Sequence, residues 1–348
     1  MLDRTRNGFA ANHHTSKHHT ARHHAEHVPR TMFAAAIDHF GGPEAITGHA
    51  LPVPKLDAGE VLIAVDTAGV GPWDAGVREG VFAPRKSHFP LVLGFDGAGI
   101  VAAVGSRVRR LRVGEEVYSY NWQNPKGGFY GEYVAVPADK VAPIPRRLDL
   151  RHAGAIPITG LTATQGIDDA LGLKKGETII VHGASGGVGT LAVQFARLRG
   201  AKVFATASGK EGVELVLEVG AHVAVNGKRI ADIDDQARRF APDGFDTILA
   251  LAGGDALEKC LNLLRPGGRL AHPNGIEPVP KKRRGISVIR YDGISGVREF
   301  ERLNAAVQAA RLKVPIAESY PLAHAYKAHE RLAEGHMIGK IILSVHGS

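Results

Sequence analysis

The chain has 348 residues, 44% of them hydrophobic and 22% charged, with a formal net charge of +8. That length points to two domains, each with its own core, and the composition is that of an ordinary globular protein rather than a disordered or fibrous one. A single cysteine, Cys260, excludes an intramolecular disulfide and a four-cysteine zinc site, and no apolar run reaches the roughly 18–20 residues of a membrane span. The N-terminus lacks the continuous apolar stretch of a secretory signal, so a cytoplasmic location is expected. Positive charge is dispersed. Its one dense run, Lys281-Lys282-Arg283-Arg284, has no interleaved aromatics and reads as a solvated loop, so no nucleic-acid partner is expected.

Residues 1–31 are polar and carry a pentad: His13-His14-Thr15-Ser16-Lys17, His18-His19-Thr20-Ala21-Arg22, His23-His24-Ala25-Glu26-His27. A period of five fits neither helix nor strand. The segment is expected to be a disordered extension, tag-like or an upstream start ahead of Met32, and its sharper reading is a transition-metal-binding tail. From Met32 the texture is β. Short apolar runs at 61–65, 99–104, 113–118 and 133–136 are separated by Gly41-Gly42-Pro43, Gly71-Pro72 and Gly127-Gly128. This pattern predicts a partly open β-barrel, mainly antiparallel, over 32–155.

Beyond residue 155 strands alternate with helices. Strand-like runs recur at 178–182, 202–206, 222–225, 246–251, 269–271 and 286–291, predicting a doubly wound parallel sheet of six strands over 156–295. The first strand enters Gly183-Ala184-Ser185-Gly186-Gly187-Val188-Gly189. A helix leaves with Val188, Leu191, Ala192, Phe195 and Ala196 at the spacing of one apolar face. Strand, glycine turn, helix and second strand fill one unit of about 30 residues, the arrangement of a dinucleotide site. Glycines let the chain turn and let a diphosphate reach main-chain N–H groups, and the helix N-terminus adds partial positive charge. The tail, 296–348, reads as helices around 297–312 and 322–332 and a closing strand at 339–343, returning to the first domain. Cys260 lies in an amphipathic run and reads as a small buried apolar residue.

With these elements in place, the chain resembles the medium-chain dehydrogenase/reductase superfamily, and within it the zinc-free quinone oxidoreductases of the zeta-crystallin type. The resemblance rests on Phe40-Gly41-Gly42-Pro43-Glu44, Pro90 through Gly99, Gly160-Leu161-Thr162-Ala163, and Gly176-Glu177 through Gly189 with Gln194 and Arg197. It covers about 32–348 and implies a GroES-like catalytic domain followed by a Rossmann domain. In zinc-dependent members the positions of Gly71, Phe95 and Asp96 carry a Cys and a His-Glu pair. Gly71 and Phe95 cannot ligate a metal, so no zinc is expected and Asp96 reads as a structural hydrogen-bonding residue. Without a Lewis acid the chemistry points to acceptors that delocalise the incoming charge, quinones and α,β-unsaturated carbonyls, rather than plain ketones.

The resemblance also exposes a departure. Many relatives carry a Tyr at Phe82 that resembles the proton donor of enoyl-thioester reductases, and Phe82 has no hydroxyl. An enoyl-thioester reductase, or a cofactor-binding protein with little turnover, are the competing readings. Pocket candidates are Trp73, Phe82, Tyr120, Trp122 and Tyr130, with Asn121 beside them. The expected cofactor contacts are Thr162, Gly183, Ala184, Ser185, Gly186, Gly187, Val188, Ser208, Lys210, Leu251, Asn274, Gly275 and Lys340. The end of the second strand, Thr206-Ala207-Ser208-Gly209-Lys210, lacks the acidic residue that accepts a ribose 2′-OH, so NADPH is expected rather than NADH. The run at 286–291 reads as an edge strand and predicts a homodimer.

Overall fold

The computed structural model describes residues 28–83 and 87–345, so the histidine pentads lie outside the described residues. The N-terminal half begins with the hairpin β1 (Thr31–Ile37) and β2 (Ile46–Pro52), with β4 (Leu91–Val92) on the other side of β1. The larger sheet is built on β3 (Glu60–Val70), whose side chains are almost all buried on both faces. It pairs antiparallel with β5 (Asp96–Val104) and β7 (Tyr133–Pro137), and β5 continues to β6 (Glu116–Tyr120) and β8 (Val141–Pro143). Register shifts at Leu62/Ile63 and Val65/Thr67 mark bulges. Bulges of this kind increase twist and help a sheet curl into a partly open barrel.

The last strand, β16 (Lys340–Ser344), returns to pair antiparallel with β3, and β15 (Ile316–Pro321) pairs parallel to it. Two short helices follow the barrel strands: α1 (Pro72–Arg78) after β3, and α2 (Leu150–Ala153) after β8. The α3 helix (Pro157–Gln165) then crosses into the second half.

The second half is a six-stranded, all-parallel sheet. In chain order it holds β9 (Thr178–His182), α4 (Gly187–Leu198), β10 (Lys202–Ala207), α5 (Gly209–Glu218), β11 (Val223–Asn226), α6 (Ile230–Phe240), β12 (Phe245–Ala250), α7 (Asp255–Leu261), β13 (Leu264–Pro273) and β14 (Ser287–Tyr291). The strand order β11-β10-β9-β12-β13-β14 is the doubly wound order, and it reverses direction between β9 and β12. Ligands of such sheets bind outside the carboxyl ends of the strands at that reversal. The glycine turn leaves β9 there, and Leu251 follows β12, its N–H bonded to His182 O at 3.0 Å.

Several expectations need correcting. The α4 helix is buried nearly all round, Thr190, Val193 and Gln194 included, because it packs against α3 and α8 (Val297–Ala310) as well as the sheet. The strand expected at 113–118 starts only at Glu116, and the run at 269–271 is the middle of a ten-residue strand. The α8 helix stops at Ala310 because Arg311 adopts a left-handed conformation, φ 49°. The segment at 322–332 opens as a 3-10 turn, Leu322–His324, before α9 (Ala325–Ala333). A turn at Gly71-Pro72 was expected where α1 forms. Cys260 is fully buried, and burial pushes its thiol up to about 12. One hydrophobic core runs from Met32 to Leu343 through both halves, and a second, around Phe204, Phe245 and Ile248, lies under α6 and α7.

Candidate active site

The glycine turn is held open by its own backbone requirements. Gly183 has φ +78°, a region that favours glycine. A Cβ on Gly189 would lie 2.5 Å from Gly183 O and 2.6 Å from the Ala184 Cα, so only hydrogen fits where helix meets strand. Around Gly186 there is room: the nearest atom to a Cβ there would be 3.8 Å away. No side chain caps α4 at Gly186, leaving its first N–H groups for an anion. That open, uncapped helix start fits a diphosphate. The turn is braced from behind, since Ala184 N–H donates to Thr206 O at 2.8 Å and Thr206 Oγ1 bonds His182 Nδ1 at 2.7 Å. Burial pushes His182 down to about 4, so the ring stays neutral.

Ser185, one of the expected cofactor contacts, accepts the Ser208 N–H at its Oγ, 3.1 Å, and ties the end of β10 to the turn. Its carbonyl accepts Gly339 N–H at 2.8 Å, which stitches the nucleotide half to the start of β16. Beyond β10, Ser208 caps α5 with a hydroxyl that makes no cap bond. Lys210 is exposed and only loosely paired with Glu214, 3.7 Å. A helix start, a hydroxyl and an ammonium are therefore together, with no carboxylate at the strand end, and this set fits a 2′-phosphate.

At the other end, four separated segments meet. The Trp73 indole lies over Gly275, where a Cβ would be 3.2 Å from the ring. Asn274 N–H donates to Tyr291 O at 3.1 Å, and Tyr291 Oη donates to Thr162 O at 2.9 Å. The Asn274 side-chain amide donates to Asp292, which leaves its Oδ1 buried without a partner. An orphaned buried amide oxygen is costly unless a ligand donor reaches it, and a nicotinamide carboxamide carries such a donor. Thr162, Asn274, Gly275 and Trp73 are thus brought together.

The pocket candidates divide. Trp73, Phe82 and Trp122 form an aromatic wall, with Trp73–Phe82 centroids 4.8 Å apart and Trp73–Trp122 5.4 Å apart. Phe95, at the position of a zinc-ligating His in some relatives, stacks on Trp122 at 4.4 Å. Among the described residues no group of three or more His, Cys, Asp or Glu side chains is placed to hold a metal ion. Tyr120, at the end of β6, is nearly buried. Burial, followed by the negative charges of Asp96, Asp292 and Asp74, holds its phenol well above the ordinary range. Tyr130 is a correction. It is fully buried and its hydroxyl bonds His329 at 3.1 Å, while Arg78 donates to the other ring nitrogen at 3.0 Å. It braces α1 against α9 rather than lining the cleft.

A buried charge cluster lies beneath this wall, and of its three residues only Asp96 and Lys340 drew any notice in the sequence. Asp74 sits at the third position of α1, where its Oδ2 accepts the Gly71 N–H at 2.8 Å. Asp96 opens β5 and accepts Ile158 N–H at 3.1 Å. Lys340 opens β16 with its Nζ 3.9 Å from Asp96 Oδ1. All three are buried. Burial above all raises the Asp74 carboxyl to about 7; Lys340 pulls down, Asp96 pushes up, and N–H groups of Gly71 and Phe95 pull down. The usable signal for Asp74 was local: proline at the first helical position and an acid at the third form a helix start.

Comparison with known proteins follows this geometry. Residues 57–146 match the alcohol dehydrogenase GroES-like domain family, and residues 187–273 match the family described as zinc-binding dehydrogenase. The chain is 35% identical over 328 residues to quinone oxidoreductase of Sus scrofa, covering 90% of this chain and 98% of that protein. It is 28% identical to the chloroplastic NADPH-dependent alkenal/one oxidoreductase of Arabidopsis thaliana, over 91% of this chain and 80% of that one. A mycobacterial structure in complex with NADPH superposes with TM-score 0.80 at 26% identity, covering 90% of this chain and all of its own.

Proposed function

The chain belongs to the zeta-crystallin-like quinone oxidoreductase family of the medium-chain dehydrogenase/reductase superfamily, and we propose that it is an NADPH-dependent reductase of quinones and α,β-unsaturated carbonyls that works without zinc. The observation that carries this reading is the conjunction of an open, uncapped glycine turn with an aromatic wall over Gly275. When bound, NADPH supplies a hydride from C4 of its nicotinamide. The Gly186–Val188 backbone would hold the diphosphate, Ser208 and Lys210 would receive the 2′-phosphate, and Asn274 would orient the carboxamide.

Trp73, Phe82 and Trp122 present flat apolar faces on which a planar acceptor stacks. Their bulk excludes water from the acceptor while hydride is delivered. Charge arriving on a quinone or enone spreads to its oxygen, and hydrogen bonds suffice to hold it. Neither Phe82 nor Phe95 offers an acid, so the proton comes from water or a loop hydroxyl. This favours quinones and enones over enoyl thioesters.

The deciding measurement is NADPH oxidation by purified protein with small quinones, enones, enoyl thioesters and simple alcohols or ketones. Turnover of quinones or enones with almost none of simple alcohols supports the reading. Efficient oxidation of a primary alcohol, or no oxidation of NADPH by any conjugated acceptor, overturns it. Elemental analysis of protein starting at Val28 tests the metal: a stoichiometric zinc would contradict the zinc-free chemistry.

A further inference from the structure

Lys340 stands between the glycine turn and a buried pair of acids. Its aliphatic stem crosses Gly187, the first residue of α4, where a Cβ would lie 3.5 Å from both Cβ and Cδ of the lysine. Its ammonium reaches the other way, toward Asp96 at 3.9 Å, and a Cβ on Gly71 would lie 3.4 Å from Nζ and 3.8 Å from Asp74 Oδ2. Asp74 is 3% exposed, and its Oδ1 is buried with no hydrogen-bond partner. One ammonium thus serves two buried carboxylates. With both ionised the cluster keeps a net negative charge out of water, which is costly.

Beyond the N–H groups of Gly71 and Phe95, which favour the carboxylate, the titratable and charged side chains facing Asp74 do not relieve it. Tyr120 and Tyr130 are buried phenols that keep their protons. Arg78, on the same helix, is engaged by Gly41 O, Glu79 and His329, and burial and Arg78 push His329 down to about 3, so its ring is neutral.

We propose that Lys340 couples cofactor binding to protonation of Asp74: a diphosphate on the glycine turn draws the ammonium from the acid pair, and Asp74 Oδ1 takes a proton from water. The proposal rests on the dinucleotide reading of the turn. Both consequences of binding have the same sign, because the lysine is withdrawn and two further negative charges arrive. Asp74 is here a positioning residue. Through the Gly71 N–H it holds the start of α1, which carries Trp73, against Gly275, and neutralising it removes the repulsion between that helix start and the occupied turn.

The test is calorimetric titration of the full-length protein with NADPH, without acceptor, in two buffers of different ionisation enthalpy at pH 7.5, which counts protons taken up per cofactor bound. Asp74 titrates at about 7 in the free protein. A rise of about one unit, the lower end of what a nearby charge produces, gives an uptake of roughly half a proton. The Asp74→Asn variant should bind NADPH and lack that increment. Lys340→Gln should bind several-fold more weakly and also lack it, since its Asp74 is already protonated. Repeating the wild-type titration with NADH, which has no 2′-phosphate to titrate, should preserve the uptake at pH 7.5 and lose it at pH 5.5. That arm decides the matter even if a variant fails to fold. Equal uptake by wild type and either variant, or an NADH uptake that does not fall at pH 5.5, overturns the proposal and leaves the NADPH reading standing. Absence of NADPH binding overturns both.

Discussion

At the scale of single residues, Lys210 and Asp74 make opposite use of charge. Lys210 is exposed and weakly paired, so it costs little to hold and is free to meet a 2′-phosphate. Its removal in Lys210→Ala is expected to weaken NADPH about tenfold, the order of one charge-assisted hydrogen bond, and NADH less than twofold; fluorescence titration with each cofactor checks it, and equal losses would contradict the assignment. Asp74 is the reverse, a carboxylate whose burial is its dominant environment. Its folded-state value of about 7 lies above the value of about 3.9 for an unfolded chain. Between those limits the folded protein holds a proton that the unfolded chain has lost. The contribution to stability is fully present below about pH 4 and disappears as pH rises through 7. Asp74→Asn keeps an acceptor for the Gly71 N–H but cannot titrate. Thermal unfolding of the variant should therefore show a smaller fall in Tm from pH 5 to pH 8 than the wild type, and parallel curves would refute the buried titration.

At the scale of elements, the β9–turn–α4 unit separates folding glycines from binding glycines. A methyl at Gly189 meets three backbone atoms that cannot move away without opening the turn. Gly189→Ala should cost about 1–3 kcal/mol of stability, the range for overpacking, and abolish cofactor binding with it. Gly186→Ala meets nothing closer than 3.8 Å and has an ordinary φ of −77°. It should fold normally and bind NADPH poorly. Denaturant midpoints and cofactor titrations on the pair decide whether the two roles are distinct. This unit was legible because its signals are local: strand, glycines and helix are contiguous. So was the doubly wound order, because parallel strands announce themselves as alternating apolar runs and helices. What stayed hidden was tertiary. The pattern of α4 shows one apolar face, and the burial of its other side follows from α3 and from α8, which is distant in sequence. The Asp74–Asp96–Lys340 cluster joins three elements that no spacing rule connects, although Asp96 and Lys340 were each noted singly. Tyr130 reads as a pocket candidate in the sequence, and its contact with His329, which lies across the fold, is not visible there.

At the scale of the whole molecule, the parallel sheet ends on an unfinished edge. The β14 strand pairs only with β13, and Ser287–Tyr291 are all at least partly exposed. An open edge offers a row of unpaired N–H and C=O groups, and a second copy related by two-fold symmetry would satisfy both rows at once by antiparallel pairing. The basic loop at 281–284 folds back, with Arg283 bonded to Glu258 at 2.9 Å. The expectation is therefore a homodimer with continuous sheets across the two-fold axis. Light scattering at micromolar concentration should return twice the 37.0 kDa of one chain. Backbone amides of Ser287–Tyr291 should exchange with deuterium as slowly as those of the central strands. A mass of one chain would refute the dimer. A dimeric mass with fast exchange along β14 would place the contact elsewhere.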